Sequence, residues 1–80
     1  MKSNSPLMTV QDYGRIRVKL NDILVERHLT RGYVARMTNT RFEVIDKWCS
    51  GSLEKIDSDV LARLCCVLSC SVEDLLEYAE

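Results

Sequence analysis

The sequence predicts an all-α domain of five short helices, with a short extended segment ahead of the first. Three observations predict this fold class. A single proline and three glycines leave long stretches uninterrupted, which favours helices over a β architecture rich in turns. Apolar residues recur at helical spacing in most of those stretches. Finally, 80 residues with 46% hydrophobic and 29% charged side chains are typical of one globular domain with a single modest core.

The first part of the chain predicts an arm, an extended segment and a helix. Residues 1–12 are polar and show no period, so we interpret them as a flexible N-terminal arm and residues 13–80 as the domain. Apolar and basic residues then alternate from residue 15 to residue 20, which is a strand period, although the same stretch also fits a helix. We favour a short extended segment followed by a helix from about Lys19 to His28.

Two helices follow in close succession. Thr30 is a suitable N-cap for a helix over residues 31–37. Asn39 comes next, and asparagine is the residue after glycine that best tolerates the left-handed conformation. Thr40 can cap the following helix, Arg41–Cys49. The apolar positions of the first of these helices are Val34, Ala35 and Met37, and the predicted inward positions of the second are Val44, Ile45 and Trp48.

The remainder of the chain predicts a connection and two more helices. Gly51 suits the end of the preceding helix, and Leu53 and Ile56 are placed to hold the connection against the core. Asp57 or the serine after it can cap a longer helix with a wide apolar stripe. A capping box with Asp in place of Glu then opens a last helix. This box and the apolar positions after it are Ser71-Val72-Glu73-Asp74 and Leu75, Leu76 and Tyr78.

The short turn between the second and third helices is the most informative feature. Two helices joined by three or four residues form a helix-turn-helix, which sets them at a steep angle. Ala35 supplies the small residue needed where the helices cross, and Asn39 supplies the positive φ of the turn. Ile45 and Trp48 pack back at i and i+3, so the residues between them face outward. These outward residues, Arg41, Phe42, Glu43, Asp46 and Lys47, have the arrangement of a recognition helix that lies in a major groove.

Together these motifs resemble the Cro- and phage-repressor-like (XRE-type) helix-turn-helix regulators, and most closely the small single-domain members. The resemblance covers roughly residues 15–79 and rests on VARMTN…VIDKWCSG and KIDSDVLARLCCVLSCSVEDLLEY. It implies a compact five-helix bundle and a repressor-like transcriptional regulator that binds double-stranded DNA sequence-specifically, often as a dimer. A homodimer would place the DNA half-sites about one helical turn apart. The oligomeric state is open, and residues 16–20 are one segment that can pair between chains.

The predicted roles follow from position in this motif. Arg41 is the best candidate for a bidentate contact to guanine, and a solvated arginine at a helix start is the alternative. Phe42 can meet a thymine methyl, fold back on the preceding helix or sit in a dimer contact. Backbone N–H groups near Arg31 and Thr40 can hold phosphates. The full set of predicted DNA-binding residues is Arg31, Thr40, Arg41, Phe42, Glu43, Asp46, Lys47 and Lys55.

The charge distribution favours an anionic partner and also leaves one alternative open. Residues 13–41 carry seven basic and two acidic side chains, whereas residues 42–80 carry three and nine. Such a split suggests one face for an anion and another kept away from it. Glu43 and Asp46, however, place two acids on the presumed reading helix, where they repel phosphates. The alternative function is therefore a protein-interaction module on the same fold, such as an antirepressor or a partner-bound regulator.

The remaining chemistry indicates neither an enzyme nor a metal, cofactor or membrane site. Cys49, Cys65, Cys66 and Cys70 lie in apolar, helix-patterned sequence, so we expect buried, reduced thiols. No second Cys/His pair at zinc spacing accompanies the single histidine, His28. We find no glycine-rich phosphate loop and no Ser/His/Asp arrangement. No apolar run approaches the roughly 20 residues of a membrane span, and the opening residues lack a secretory signal, so we expect a cytoplasmic protein.

Overall fold

The computed structural model describes residues 13–80, which contain five α-helices and two β-strands. In chain order these are β1 (Arg15–Val18), α1 (Leu20–Arg27), α2 (Arg31–Met37), α3 (Phe42–Ser50), α4 (Ser58–Leu68), α5 (Val72–Leu75) and β2 (Leu76–Ala79). The five predicted helices are all present, whereas the predicted arm, residues 1–12, lies outside the described residues. The all-α class is wrong in part, because the two ends of the described chain form a small antiparallel sheet.

The sheet pairs β1 with β2, with Ile16 opposite Tyr78 and Val18 opposite Leu76. The predicted extended segment is therefore confirmed, and it pairs within the chain. The predicted last helix is wrong beyond Leu75, since Leu76 has the extended φ and ψ of −129° and 143°. The Lys19 N–H, just before α1, donates to the Leu75 carbonyl at 2.7 Å. This hydrogen bond takes the place of the intrahelical bond that would continue α5.

Gly14 allows the two ends to approach each other. A Cβ built on this residue would overlap the carbonyl oxygen of Ala79 and lie 2.8 Å from its carbonyl carbon. The Gly14 N–H also donates to the phenolic oxygen of Tyr78 at 2.7 Å. The absence of a side chain at residue 14 is therefore a condition for closing the sheet.

The helix ends follow the predicted local chemistry in most places. Thr30 Oγ1 accepts a hydrogen bond from the Tyr33 N–H at 3.0 Å, and the Asp57 carboxylate caps α4. Gly51 ends α3 with a φ of 78°. The Asp74 carboxylate accepts from the Ser71 N–H at 2.9 Å, which confirms the predicted capping box. This bond from the Ser71 backbone, followed by one from its side chain, holds the pKa of Asp74 below its ordinary value.

A single apolar core joins the helices. Its buried members are Leu20, Leu24, Val34, Ala35, Ile45, Trp48, Val60, Leu64, Leu68 and Leu75. Leu53 packs against this core as predicted, but Ile56 is exposed. Met37, one of the apolar positions of the predicted helix, is exposed, because the buried position one turn after Val34 is taken by Thr38. None of the helices between residues 13 and 80 is long and apolar enough to cross a membrane.

Candidate nucleic-acid interface

The turn between α2 and α3 has the local structure that its sequence predicts. Asn39 has a φ of 51°, the left-handed conformation expected for it. Thr38 is buried and donates its hydroxyl to the Val34 carbonyl at 2.8 Å, and the Thr40 N–H donates to the Ala35 carbonyl at 2.9 Å. Ala35 itself is only 6% exposed. The chain therefore makes a tight turn between two separate helices that pack against each other.

The helix α3 has an inward and an outward face. Ile45 and Trp48 are buried, with Trp48 only 1% exposed, which confirms their predicted place in the core. Exposed residues before these anchors and between them lie on the other side of the helix at helical spacing. Phe42 keeps 51% of its surface exposed. The exposed predicted residues on this side are Arg41, Phe42, Glu43 and Lys47.

Asp46 belongs to the same predicted set but is half-buried and held by Arg31. Arg31 Nη1 lies 2.5 Å from Asp46 Oδ1, and Arg31 Nη2 donates to Asn21 Oδ1 at 3.2 Å. One guanidinium at the start of α2 thereby contacts both α1 and α3. Because this pair neutralises Asp46, Glu43 is the acid of the outward face that has no ion-pair partner within the described range.

The predicted capping role of Thr40 is wrong. The helix begins at Phe42 rather than Arg41, with Arg41 in the N-cap position, and no side chain caps its first turn. The Thr40 hydroxyl instead donates to the Thr38 carbonyl at 3.1 Å, inside the turn. A local hydrogen bond of this kind is the usual competitor of a threonine cap. The first N–H groups of α3 consequently remain open to an external acceptor.

Two surface depressions lie at the ends of the outward face. The one at the C-terminal end of α3 has a volume of about 560 Å³ and is lined by Lys47, Ser52, Leu53, Glu54 and Lys55. The one at the turn has a volume of about 480 Å³ and is lined by Gly32, Ala35, Arg36, Asn39, Thr40, Arg41 and Phe42. Lys55 and Lys47 thus line the same depression. Phe42 lines the other depression together with residues of α2, and it remains 51% exposed.

The sequence did not predict the contacts of two arginines near the turn, although Arg36 was expected to add positive charge for phosphates. Arg63, on α4, donates to the carbonyl oxygens of Thr38 and Asn39. Arg36 places its guanidinium 6.0 Å from the centre of the Tyr33 ring, one turn earlier on α2. The Arg36–Tyr33 spacing was visible in the sequence as an i, i+3 pair. No local signal connects Arg63 with residues 24 and 25 positions before it.

The cysteines take no part in this surface. The prediction of buried thiols is wrong for Cys66, which is exposed, whereas Cys49, Cys65 and Cys70 are half-buried. Burial raises the pKa of Cys49 and Cys70, so both thiols stay protonated at neutral pH. Among residues 13–80 no group of three or more His, Cys, Asp or Glu side chains is placed to hold a metal ion.

The two helices are joined by a tight turn with one residue, Asn39, in the left-handed conformation. The second helix presents basic and aromatic side chains outward. This arrangement defines a helix-turn-helix DNA-binding domain. Residues 19–80 match the family profile of the Cro/C1-type HTH DNA-binding domain. The chain belongs to this family of DNA-binding domains, which confirms the resemblance seen in the sequence.

Solved structures share the fold. A candidate DNA-binding protein from Bacteroides fragilis superposes with a TM-score of 0.69 at 19% sequence identity, over 79% of this chain and 100% of that chain. The transcriptional regulator VanUg superposes with a TM-score of 0.66 at 22% identity, over 98% of this chain and 97% of that chain. At these identities the likeness shows the fold alone. No curated protein sequence matches this chain.

Proposed function

We propose that the protein is a sequence-specific, repressor-like regulator that inserts α3 into the major groove of double-stranded DNA. The observation that carries this proposal is the outward face of α3, where Arg41, Phe42 and Lys47 are exposed together. None of the basic side chains of this face has an ion-pair partner within residues 13–80, so their charge is available to DNA.

The base contacts come from the start and the middle of α3. A free guanidinium such as that of Arg41 can bind guanine bidentately, which is the commonest specific contact in the major groove. Phe42 follows it and offers an apolar edge to a thymine methyl. Lys47 lies five residues after Phe42 and reaches a base or a phosphate. Glu43 can accept a hydrogen bond from the amino group of cytosine, so its charge favours one base while it opposes nearby phosphates.

The phosphate contacts come from both ends of the helix. The first turn of α3 has no side-chain cap, and its N–H groups carry the positive end of the helix dipole, which suits a phosphate beside Thr40. Lys55 contributes charge at the other end, in the depression it shares with Lys47. Arg31 is engaged with Asp46, and 36% of its side chain remains exposed for a further contact to a phosphate.

The test starts from a random-sequence duplex library, from which a preferred site is selected with the full chain. We expect affinity for that site to fall steeply with salt, because phosphate contacts release counterions. Arg41→Ala should cost about 1–3 kcal/mol and relax the preference at one base position. Arg17→Ala is the control, since it removes the same charge from a side chain paired with Glu77 and should leave the preference unchanged.

A homodimer is part of the same proposal. Selected sites should then be inverted repeats with centres about 10 base pairs apart. Single, non-repeated sites would indicate that one chain binds alone.

A second candidate function is a partner-binding module. It is supported by Glu43 on the outward face and by the exposed apolar side chains of α2 and α3, which are Tyr33, Met37 and Phe42. A salt dependence close to zero, or no complex with any duplex at low salt, would contradict DNA reading and favour this function.

A further inference from the structure

Arg63 connects the fourth helix to the turn of the helix-turn-helix. Its Nη1 donates to the Thr38 carbonyl at 3.2 Å and to the Asn39 carbonyl at 3.0 Å. Its Nη2 lies 2.8 Å from the Asp59 carboxylate, one turn earlier on α4. The ion pair with Asp59 orients the guanidinium, and the guanidinium holds both carbonyls from outside the α2–α3 unit.

The two carbonyls have few other donors. Among the described residues no backbone N–H donates to either of them, and the Thr40 hydroxyl donates to the Thr38 carbonyl alone. Both lie at the C-terminal end of α2, where carbonyls carry the negative end of the helix dipole, so a cation is favoured there. Asn39 also holds a left-handed conformation that non-glycine residues rarely adopt. Arg63 therefore stabilises the turn with Asn39 in its left-handed conformation.

The conformation of the α2–α3 turn also determines the direction in which α3 begins. Arg41 follows Asn39 by two residues and is itself the N-cap of α3, so a rotation of the Asn39 backbone moves Arg41 and Phe42. The later part of α3 is fixed independently, by the burial of Ile45 and Trp48 and by the ion pair of Asp46. Loss of the Arg63 contact should thus loosen the start of α3 and leave its end in place.

We propose that Arg63 is a positioning residue for DNA reading: it fixes the α2–α3 turn, and through the turn the base-contacting start of α3. This inference rests on the proposed function, because it assigns the base contacts to Arg41 and Phe42. It predicts that Arg63 contributes to the choice between DNA sequences more than to overall attraction for DNA.

The chain contains a matched control. Arg27, at the end of α1, donates to the Leu68 carbonyl at the end of α4, which is the same chemistry at a helix end remote in sequence from the turn. Arg27→Gln and Arg63→Gln each remove one positive charge. Arg27→Gln removes one guanidinium–carbonyl hydrogen bond at the end of α4. Arg63→Gln removes two such hydrogen bonds at the end of α2, together with the ion pair to Asp59.

The measurement is the ratio of affinities for the selected site and for random duplex, at equal folded fraction checked by the fluorescence of buried Trp48. Arg63→Gln should lower this ratio about tenfold, since a hydrogen bond from a charged group is lost at the turn. Arg27→Gln should leave the ratio within about twofold of the wild-type value. Arg63→Lys keeps the charge but loses the planar guanidinium donors, so its ratio should fall between those of the two glutamine variants. An equal loss of affinity for both duplexes in Arg63→Gln would overturn the proposal, since it would indicate a direct phosphate contact.

Amide hydrogen exchange of the free protein separates this inference from the proposed function. We expect Arg63→Gln to accelerate exchange at residues 39–43, and Arg27→Gln to leave those residues unchanged. If these amides respond but the wild-type chain prefers no DNA sequence, the proposed function fails while the hold of Arg63 on the turn stands. If the wild-type chain reads sequence and Arg63→Gln reads it equally well, the positioning role is wrong.

Discussion

The β1–β2 sheet and the recognition helix use basic side chains in opposite ways. In the sheet, Arg17 lies 3.1 Å from Glu77, and it also lies 3.6 Å from Asp22 on α1. Lys19, just after β1, lies 3.9 Å from the same Glu77 oxygen. On α3 and in the loop after it, Arg41, Lys47 and Lys55 have no such partner in the part of the chain that the structure describes. The first group is paired within the fold, and the second is the group that we propose to contact DNA.

This difference changes what the charge pattern of the sequence means. Residues 13–41 look strongly basic, but Arg17, Lys19 and Arg31 are neutralised by acids of the same chain. Two of the available cations, Lys47 and Lys55, lie instead in the half of the sequence that counts as acidic. A count of charges along the chain therefore locates a binding face poorly when the partners of each charge are distant in sequence.

The largest effect is expected at the sheet. Gly14→Ala places a methyl group against the backbone of Ala79, which cannot move as a side chain does, and should lower the free energy of unfolding by about 3 kcal/mol. Gly32→Ala is the control: its Cβ meets nothing within 4 Å, and it should raise the same free energy by up to about 1 kcal/mol. Urea titration followed by Trp48 fluorescence measures both. If Gly14→Ala and Gly32→Ala changed the free energy of unfolding equally, the sheet would not contribute to the stability of the domain.

A smaller effect should separate the two acids of the recognition helix. Asp46→Asn breaks a half-exposed ion pair with Arg31 and should cost about 0.5–1 kcal/mol of stability. Glu43→Gln removes the same charge from an exposed side chain and should change stability by less than about 0.5 kcal/mol. Both should raise affinity for random duplex at low salt, because each removes a negative charge close to phosphates. A destabilisation by Glu43→Gln as large as that by Asp46→Asn would show that Glu43 is also engaged within the protein.

The helix-turn-helix was predictable because its determinants are local. Thr30 caps the helix α2, which begins one residue later. Asn39 adopts its left-handed conformation within a four-residue turn. Ile45 and Trp48 mark the inward face of α3 by their spacing alone. Periodicity and turn chemistry act over a few residues, so a single sequence contains them.

The parts that could not be predicted depend on distant contacts. The segment after Leu75 has apolar residues that suit a helix, yet it becomes a strand because β1, about 60 residues earlier, offers it a partner. Gly14 gave no turn signal, because it is required by the approach of Ala79 and not by its own φ. The contacts of Arg31 with Asp46 and of Arg63 with the turn likewise join residues that are 15 and 24–25 positions apart, beyond the reach of local sequence signals.

The most direct test of the division between the two regions is a map of backbone amide shifts as the selected duplex is added to the ¹⁵N-labelled chain. If the recognition helix is the binding face, the largest changes will fall on residues 40–47 and 52–55, with small changes in β1 and β2. Changes centred on residues 15–18 and 76–79, with α3 unaffected, would contradict it.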